Sequence, residues 1–204
     1  MPVSPPVSPP VSPAALRNRE PILNILRTVL PDTGTLLETN SGVGTHAVHF
    51  ATALPALTWR PSDISPQARE RLSMLPGGNI LDPLDLDVAQ PVWPITSADA
   101  MVSINMVHIA PWAACEGLFA GARRILPDGG VLYLYGPFII DGRPTAPGNI
   151  AFDADLRGRN PEWGVRNLDA VDAVAAQAGM IRTDLIDMPA NNFSLVYRKQ
   201  APSA

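Results

Sequence analysis

The stretch 35–47, TLLETNSGVGTHA, constrains this chain more than any other. It begins with Thr35-Leu36-Leu37, a short apolar run of the kind that forms a buried strand. Glu38 follows, then a loop containing Gly42 and Gly44, then a helix-like run, Ala47-Val48-His49-Phe50-Ala51. A strand that ends in a glycine turn and opens a helix leaves free backbone N–H groups over the strand's carboxyl end. Glycine has no Cβ, so a ligand can come close to that backbone. The pattern is that of a nucleotide or nucleoside cradle.

The rest of the chain alternates around it. A helix is predicted over 14–30, with Pro21 starting a second helical segment. Strands follow over 35–39, 57–60 and 80–88, the last weakly marked, with helices over 45–54 and 66–75. A strand covers 98–104, a helix 111–126 stopped by Pro127-Asp128-Gly129-Gly130, and a strand 131–135. Residues 141–163 read as mostly irregular, with a short helix over 149–157. A helix over 168–178 is closed by Gly179. Two strands, 180–187 and 193–199, are joined by a turn-rich link that suits an antiparallel pair. The alternation implies an α/β fold, a mostly parallel sheet with helices on both faces. Ligands of such sheets bind beyond the carboxyl ends of the strands, where Glu38, Asn40, Gly42, Asp63, Asp87, Asn105 and Tyr135 fall.

The 204 residues, 46% of them hydrophobic, suit one domain. Segment 1–13 repeats a VSPP unit, and proline at that density gives polyproline II or disorder. We therefore expect a proline-rich tail over 1–13 and a single domain over 14–200. The tail lacks the basic start and apolar core of a signal peptide. No apolar run approaches the ~20 residues of a membrane span. The net charge is −4, and the fifteen Lys and Arg are scattered, which argues against a nucleic-acid partner. A lone cysteine, Cys115, excludes an internal disulfide and fits a reducing cytoplasm. Its apolar helical surroundings make it a buried core thiol. Nothing in the pattern fixes an oligomeric state.

Two cofactors compete for the turn. Gly42-Val43-Gly44-Thr45-His46-Ala47 matches the dinucleotide fingerprint G-x-G-x-x-A, and Asp63 stands 21 positions after Gly42. The details favour S-adenosylmethionine. Four residues, Glu38 to Ser41, separate strand from glycines, and an anionic strand end suits a sulfonium better than a pyrophosphate. Glu38 is then a cofactor contact, or else a capping or ion-paired carboxylate. Asp63 is a ribose ligand, or else the N-cap of the next helix. Asp87 is placed to meet an adenine amino group, though Asp82 and Asp85 leave the register open. Gly44, Asn40 and His46 complete the candidate cofactor set, His46 at the cofactor entrance.

Several segments together carry a resemblance: Leu37-Glu38 with Ser41-Gly42-Val43-Gly44-Thr45-His46-Ala47; Trp59-Arg60-Pro61-Ser62-Asp63; Leu86-Asp87-Val88; Asn105-Met106-Val107-His108-Ile109; Leu134-Tyr135-Gly136-Pro137-Phe138; Trp163-Gly164-Val165-Arg166; and Met188-Pro189-Ala190-Asn191-Asn192. With Arg17-Asn18, Glu20-Pro21-Ile22-Leu23, Pro111-Trp112, Glu116-Gly117-Leu118-Phe119 and Phe152-Asp153, they run through nearly the whole chain after the tail. The sequence resembles the methyltransferase-like 26 family of class I S-adenosylmethionine-dependent methyltransferase-like proteins. The resemblance implies a Rossmann-like, mostly parallel seven-stranded sheet with the last strand antiparallel. It also implies cofactor contacts at Glu38, Gly42, Asp63 and Asp87. This chain departs from the family at Asn40, where a small residue is usual, and at Thr39, where an aliphatic one is. Asn40 tolerates a left-handed backbone, and its amide stands where it reaches or blocks the ligand.

Methyl transfer is an in-line displacement that mainly needs alignment and exclusion of water. A base is needed only if the acceptor arrives protonated. The segment after the fourth strand is where an acceptor would meet the methyl group. His108 is the candidate base, or else a histidine that holds a loop carbonyl. Asn105 orients an acceptor and borders the cofactor, or else binds its own turn. Arg17, Asn18, Trp112, Tyr135, Phe138, Asn149, Arg166 and Asn191 are the candidate acceptor contacts, since aromatic and amide side chains fit a small, partly polar substrate. Trp59 and Trp93 read as packing residues. His46 and His49 are spaced for a metal, but without a third ligand no metal is expected. The expected function is S-adenosylmethionine-dependent methyl transfer to a small-molecule acceptor. The alternatives are a catalytically silent binding protein of the same fold and an enzyme of another reaction type, such as cyclisation or hydrolysis.

Overall fold

A computed structural model describes residues 13–201; the proline-rich segment, except Pro13, lies outside the described residues. The first helix, α1 (Pro13–Val29), runs through Pro21 without a second start. Its buried residues Asn18, Ile22, Leu23 and Leu26 lie on both sides of the proline, and packing of that stripe outweighs the one backbone bond that proline removes.

Then follow β1 (Gly34–Thr39), α2 (Thr45–Ala53), β2 (Leu57–Asp63), α3 (Pro66–Leu72) and β3 (Leu84–Asp85). The expected third strand is thus only two residues long, with one further bridge between Trp59 and Ile80. Next come β4 (Ala100–Ile104), α4 (Trp112–Ile125), β5 (Val131–Gly136) and a short pair, β6 (Phe138–Ile139) and β7 (Arg166–Asn167). Between the members of that pair lies α5 (Pro147–Arg159), longer than its sequence suggests. Leu156 is its one buried residue, so it carries no apolar periodicity to read. The chain closes with α6 (Leu168–Gln177), β8 (Met180–Met188), one 3₁₀ turn at Pro189–Asn191 and β9 (Asn192–Lys199).

The seven-stranded sheet has the order β3-β2-β1-β4-β5-β9-β8. Strands β1 to β5 pair in parallel, and β9 enters antiparallel between β5 and β8. Side chains alternate across the pleat. Leu36, Ala100, Val102, Val131 and Tyr133 therefore face α1 and α2, while Leu37, Met101, Leu132 and Leu134 face α4 and α6. The strand order reverses between β1 and β4, and the carboxyl ends of those two strands hold the glycine turn and Asn105. This is the class I methyltransferase architecture.

Candidate active site

Strand β1 stops at Thr39, and the chain turns over Asn40 (φ 54°) and Gly42 (φ 58°) into α2. Asn40 thus takes the left-handed backbone its type permits. A Cβ built on Gly42 meets no protein atom within 4 Å, so this glycine opens onto free space. Gly44 (φ 80°) is the N-cap of α2, and a Cβ there would lie 2.7 Å from Leu75 Cδ1. The two glycines therefore differ: Gly42 faces open space, and Gly44 lets the turn pack against Leu72 and Leu75.

Asp63 at the end of β2 is joined to that turn. The Gly42 N–H donates to its Oδ2 and the Ser65 N–H to its Oδ1, both over 2.9 Å. The cap of α3 is Ser65, whose hydroxyl accepts from the Ala68 N–H. Each carboxylate oxygen keeps a second lone pair. Glu38 lies beneath the turn, 2% exposed, and its Oε2 accepts from Trp59 Nε1 over 2.8 Å. Burial lifts it to about 7. Trp59, read from sequence as packing alone, is thus also a hydrogen-bond donor.

A cavity of about 310 Å³ opens beside the turn. Asn40, Ile64, Leu86, Asp87, Met106, Ile109 and Trp163 are among its walls. Of the three neighbouring aspartates only Asp87 lines it, with Oδ1 accepting from the Ala89 N–H and Oδ2 from Gln90 Nε2. Asp85 pairs with Arg69, and Asp82 offers its main-chain oxygen to Arg60. The apolar walls Ile64, Met106 and Ile109 were not singled out in the sequence. Their one signal was position, each just after a strand end.

A second cavity, of about 370 Å³, adjoins the first, and Ile109 lines both. Arg17, Asn18, Asn105, His108, Tyr135, Asn149, Phe152 and Asn192 are among its walls. Asn105 (φ 56°) turns the chain after β4, and its N–H donates to the Tyr135 main-chain oxygen. His108 is fully buried, edge-on to Phe138 at 5.0 Å. Neither of its ring nitrogens has a hydrogen-bond partner among the described residues. Burial, and then the nearby Arg166 guanidinium, push it down to about 3. Asn18 Oδ1 accepts from His46 Nε2 over 2.8 Å. His46 stacks on Phe50 and is pushed down to about 4 by burial, so it joins α1 to α2 beside the cavity. Burial also raises Tyr135 above the usual tyrosine range.

The remaining candidates fall elsewhere. Phe138, Asn149 and Asn191 line a third cavity of about 210 Å³ under the 143–146 loop. Asn149 divides it from the second, its Nδ2 donating to the Asn191 main-chain oxygen. Arg166 and Trp112 line none of these three. The guanidinium stacks over the indole at 5.6 Å and donates to the main-chain oxygens of Val107, Ala110 and Glu162. It thereby fixes the loop that carries His108. Cys115 is buried and pushed up to about 12 by desolvation. Among the described residues no three His, Cys, Asp or Glu side chains converge as a metal site. Among them, too, no helix is long and apolar enough to cross a membrane.

The family described as "Protein of unknown function (DUF938)" matches residues 9–199, so the chain belongs to that family. Among solved structures the chain is similar to CalO1, a methyltransferase in calicheamicin biosynthesis in its SAH-bound form. The TM-score is 0.74 at 16% identity, over 91% of this chain and 54% of that one. It is also similar to human N-acetylserotonin methyltransferase in complex with SAM, at 0.71 and 15%, over 92% and 56%. A sarcosine dimethylglycine methyltransferase-like protein from Galdieria sulphuraria matches at 0.73 and 14%, over 91% and 86%. The chain spans about half the length of the first two. These likenesses establish the fold. The family found is DUF938.

Proposed function

We propose that this DUF938 protein is an S-adenosylmethionine-dependent methyltransferase acting on a small molecule in the cytoplasm, akin to the methyltransferase-like 26 proteins. One observation carries the reading. Two cavities that share Ile109 as a wall lie over the carboxyl ends of β1 and β4, one beside Asn40 of the glycine turn and one around His108. Such a pair separates a cofactor from an acceptor and brings their reacting ends together at the junction. Structural neighbours with bound SAM or SAH support the choice of cofactor.

The residues fit that cofactor. Gly42 leaves open space at the turn, Asp63 offers spare lone pairs to ribose hydroxyls, and Ile64, Leu86 and Met106 supply apolar walls beside Asp87 for an adenine ring. When bound, the cofactor supplies an electrophilic methyl on a sulfonium. The chain's own part is to orient the acceptor and keep water out. His108 stays neutral far below pH 7, so it offers one donor and one acceptor nitrogen and is a weak base. Asn105 and Tyr135 stand beside it as further hydrogen-bonding groups.

Calorimetry with S-adenosylhomocysteine tests the reading. The protein should bind it, and Asp63→Ala should weaken binding by about 1.5–3 kcal/mol, the range for a lost hydrogen bond to a charged group. No binding at millimolar concentration, or NADH bound in preference, would overturn it.

A further inference from the structure

The second cavity has an unusual balance of polar groups. Its polar wall is four carboxamides, a phenol, a fully buried imidazole and one guanidinium, and no Asp or Glu lines it. Arg17 is exposed on α1 at the cavity and joins no ion pair among the described residues. Behind the wall, Arg166 donates to main-chain oxygens and has the Asp153 carboxylate as a charged neighbour. Among the described residues Arg17 is therefore the one cationic side chain on the wall, and no anionic one opposes it. An ammonium substrate finds no counter-charge there and no strong base to deprotonate it. An anion finds Arg17 at the mouth and, in the wall, His108, a fully buried group whose ring nitrogens have no hydrogen-bond partner among the described residues. Phe152, Ile109 and Pro137 supply an apolar wall for its body.

Building on the methyltransferase reading, we infer that the acceptor is a small monocarboxylic acid with an apolar body, methylated on its carboxylate oxygen. The chemistry closes without a base. A lone pair of the carboxylate oxygen forms the new C–O bond, and the C–S bond breaks with its electrons kept on sulfur. Anion and sulfonium become a neutral ester and a neutral thioether, and no proton moves.

The test compares matched skeletons on the full chain. Phenylacetate and phenethylamine are titrated into protein saturated with S-adenosylhomocysteine, and methyl transfer from labelled S-adenosylmethionine to each is followed. Phenylacetate should bind at least tenfold more tightly, and only it should take up label as an alkali-labile ester. Arg17→Gln should weaken the acid about tenfold and leave S-adenosylhomocysteine binding unchanged. If S-adenosylhomocysteine binds but the amine binds as well as the acid, or neither binds, the acid assignment falls while the methyltransferase reading stands. If S-adenosylhomocysteine does not bind, both fall.

Discussion

The main-chain N–H of Gly42 donates to Asp63 Oδ2 over 2.9 Å, so the turn after one strand is pinned by the carboxylate that ends its neighbour. This bond crosses 21 residues of sequence and fixes the turn to the end of β2. Gly42 contributes open space as well as its N–H.

Replacing Gly42 by alanine should separate those two contributions. An L-residue at φ 58° costs about 1–2 kcal/mol of stability, and the new methyl touches no protein atom. Chemical denaturation should therefore show only that modest loss. Calorimetry should show a larger loss of S-adenosylhomocysteine affinity, more than tenfold, because in the proposed cofactor site the methyl stands where the ligand comes close.

Gly136 packs directly against His108. A Cβ there would overlap His108 Nε2, so Gly136→Ala should displace the imidazole and destabilise the protein by about 1–3 kcal/mol through overpacking. Methyl transfer should fall at least tenfold, with S-adenosylhomocysteine binding little changed. Equal loss of both would show that the two cavities are not separable.

Glu38 gives the protein a pH signature. Burial raises it from 4.5 to about 7, so between those values the folded state holds a proton that the unfolded state has released. Stability therefore falls as pH rises from 4.5 to 7 and stays lower above, by about 3 kcal/mol at most. Glu38→Gln keeps an oxygen for the Trp59 indole and carries no charge. The variant should be more stable than the parent at pH 8, with the gap closing toward pH 4.5 in denaturant titrations. His108 and His46 act in the opposite sense. Both are held below their usual value, so the stability they lend is present above pH 6.5 and is lost as pH falls toward 3–4.

Arg166→Ala should cost about 1.5–3 kcal/mol, the range for hydrogen bonds made by a charged group, because three main-chain oxygens lose their donor. Released from the indole and the guanidinium, the 105–111 segment should exchange its amide hydrogens faster. That readout distinguishes a clamp from a residue that only touches substrate.

The parts legible in the sequence were those with local, periodic signals. Strand β1, its glycine turn and α2 appear where Leu36-Leu37, Gly42 and the run from Ala47 to Ala51 put them. The mostly parallel sheet follows from strands alternating with helices and the antiparallel β8–β9 pair from the turn-rich link, while the reversal of the last strand within the sheet is what the family resemblance implies. Helix α5 was compressed to a few turns because Leu156 alone faces the core. Pro21 suggested a break that the buried stripe of α1 overrides.

Residue type and strand-end position selected Glu38, Asp63, Asp87, Asn105 and His108, because open α/β sheets gather ligand groups at those ends. The sequence determined that set and the sheet that presents it. Only the tertiary structure decided their occupations. It buried Glu38 under the indole of Trp59 and set Asp63 on the glycine turn. It left His108 without a hydrogen-bond partner among the described residues, and it gave Arg166 to the loop's own carbonyls. The reason is physical. A side chain's chemistry is written in the sequence, but whether it faces a cavity, a neighbour or the core depends on crossings between strands and helices far apart in the chain, and no local pattern encodes those.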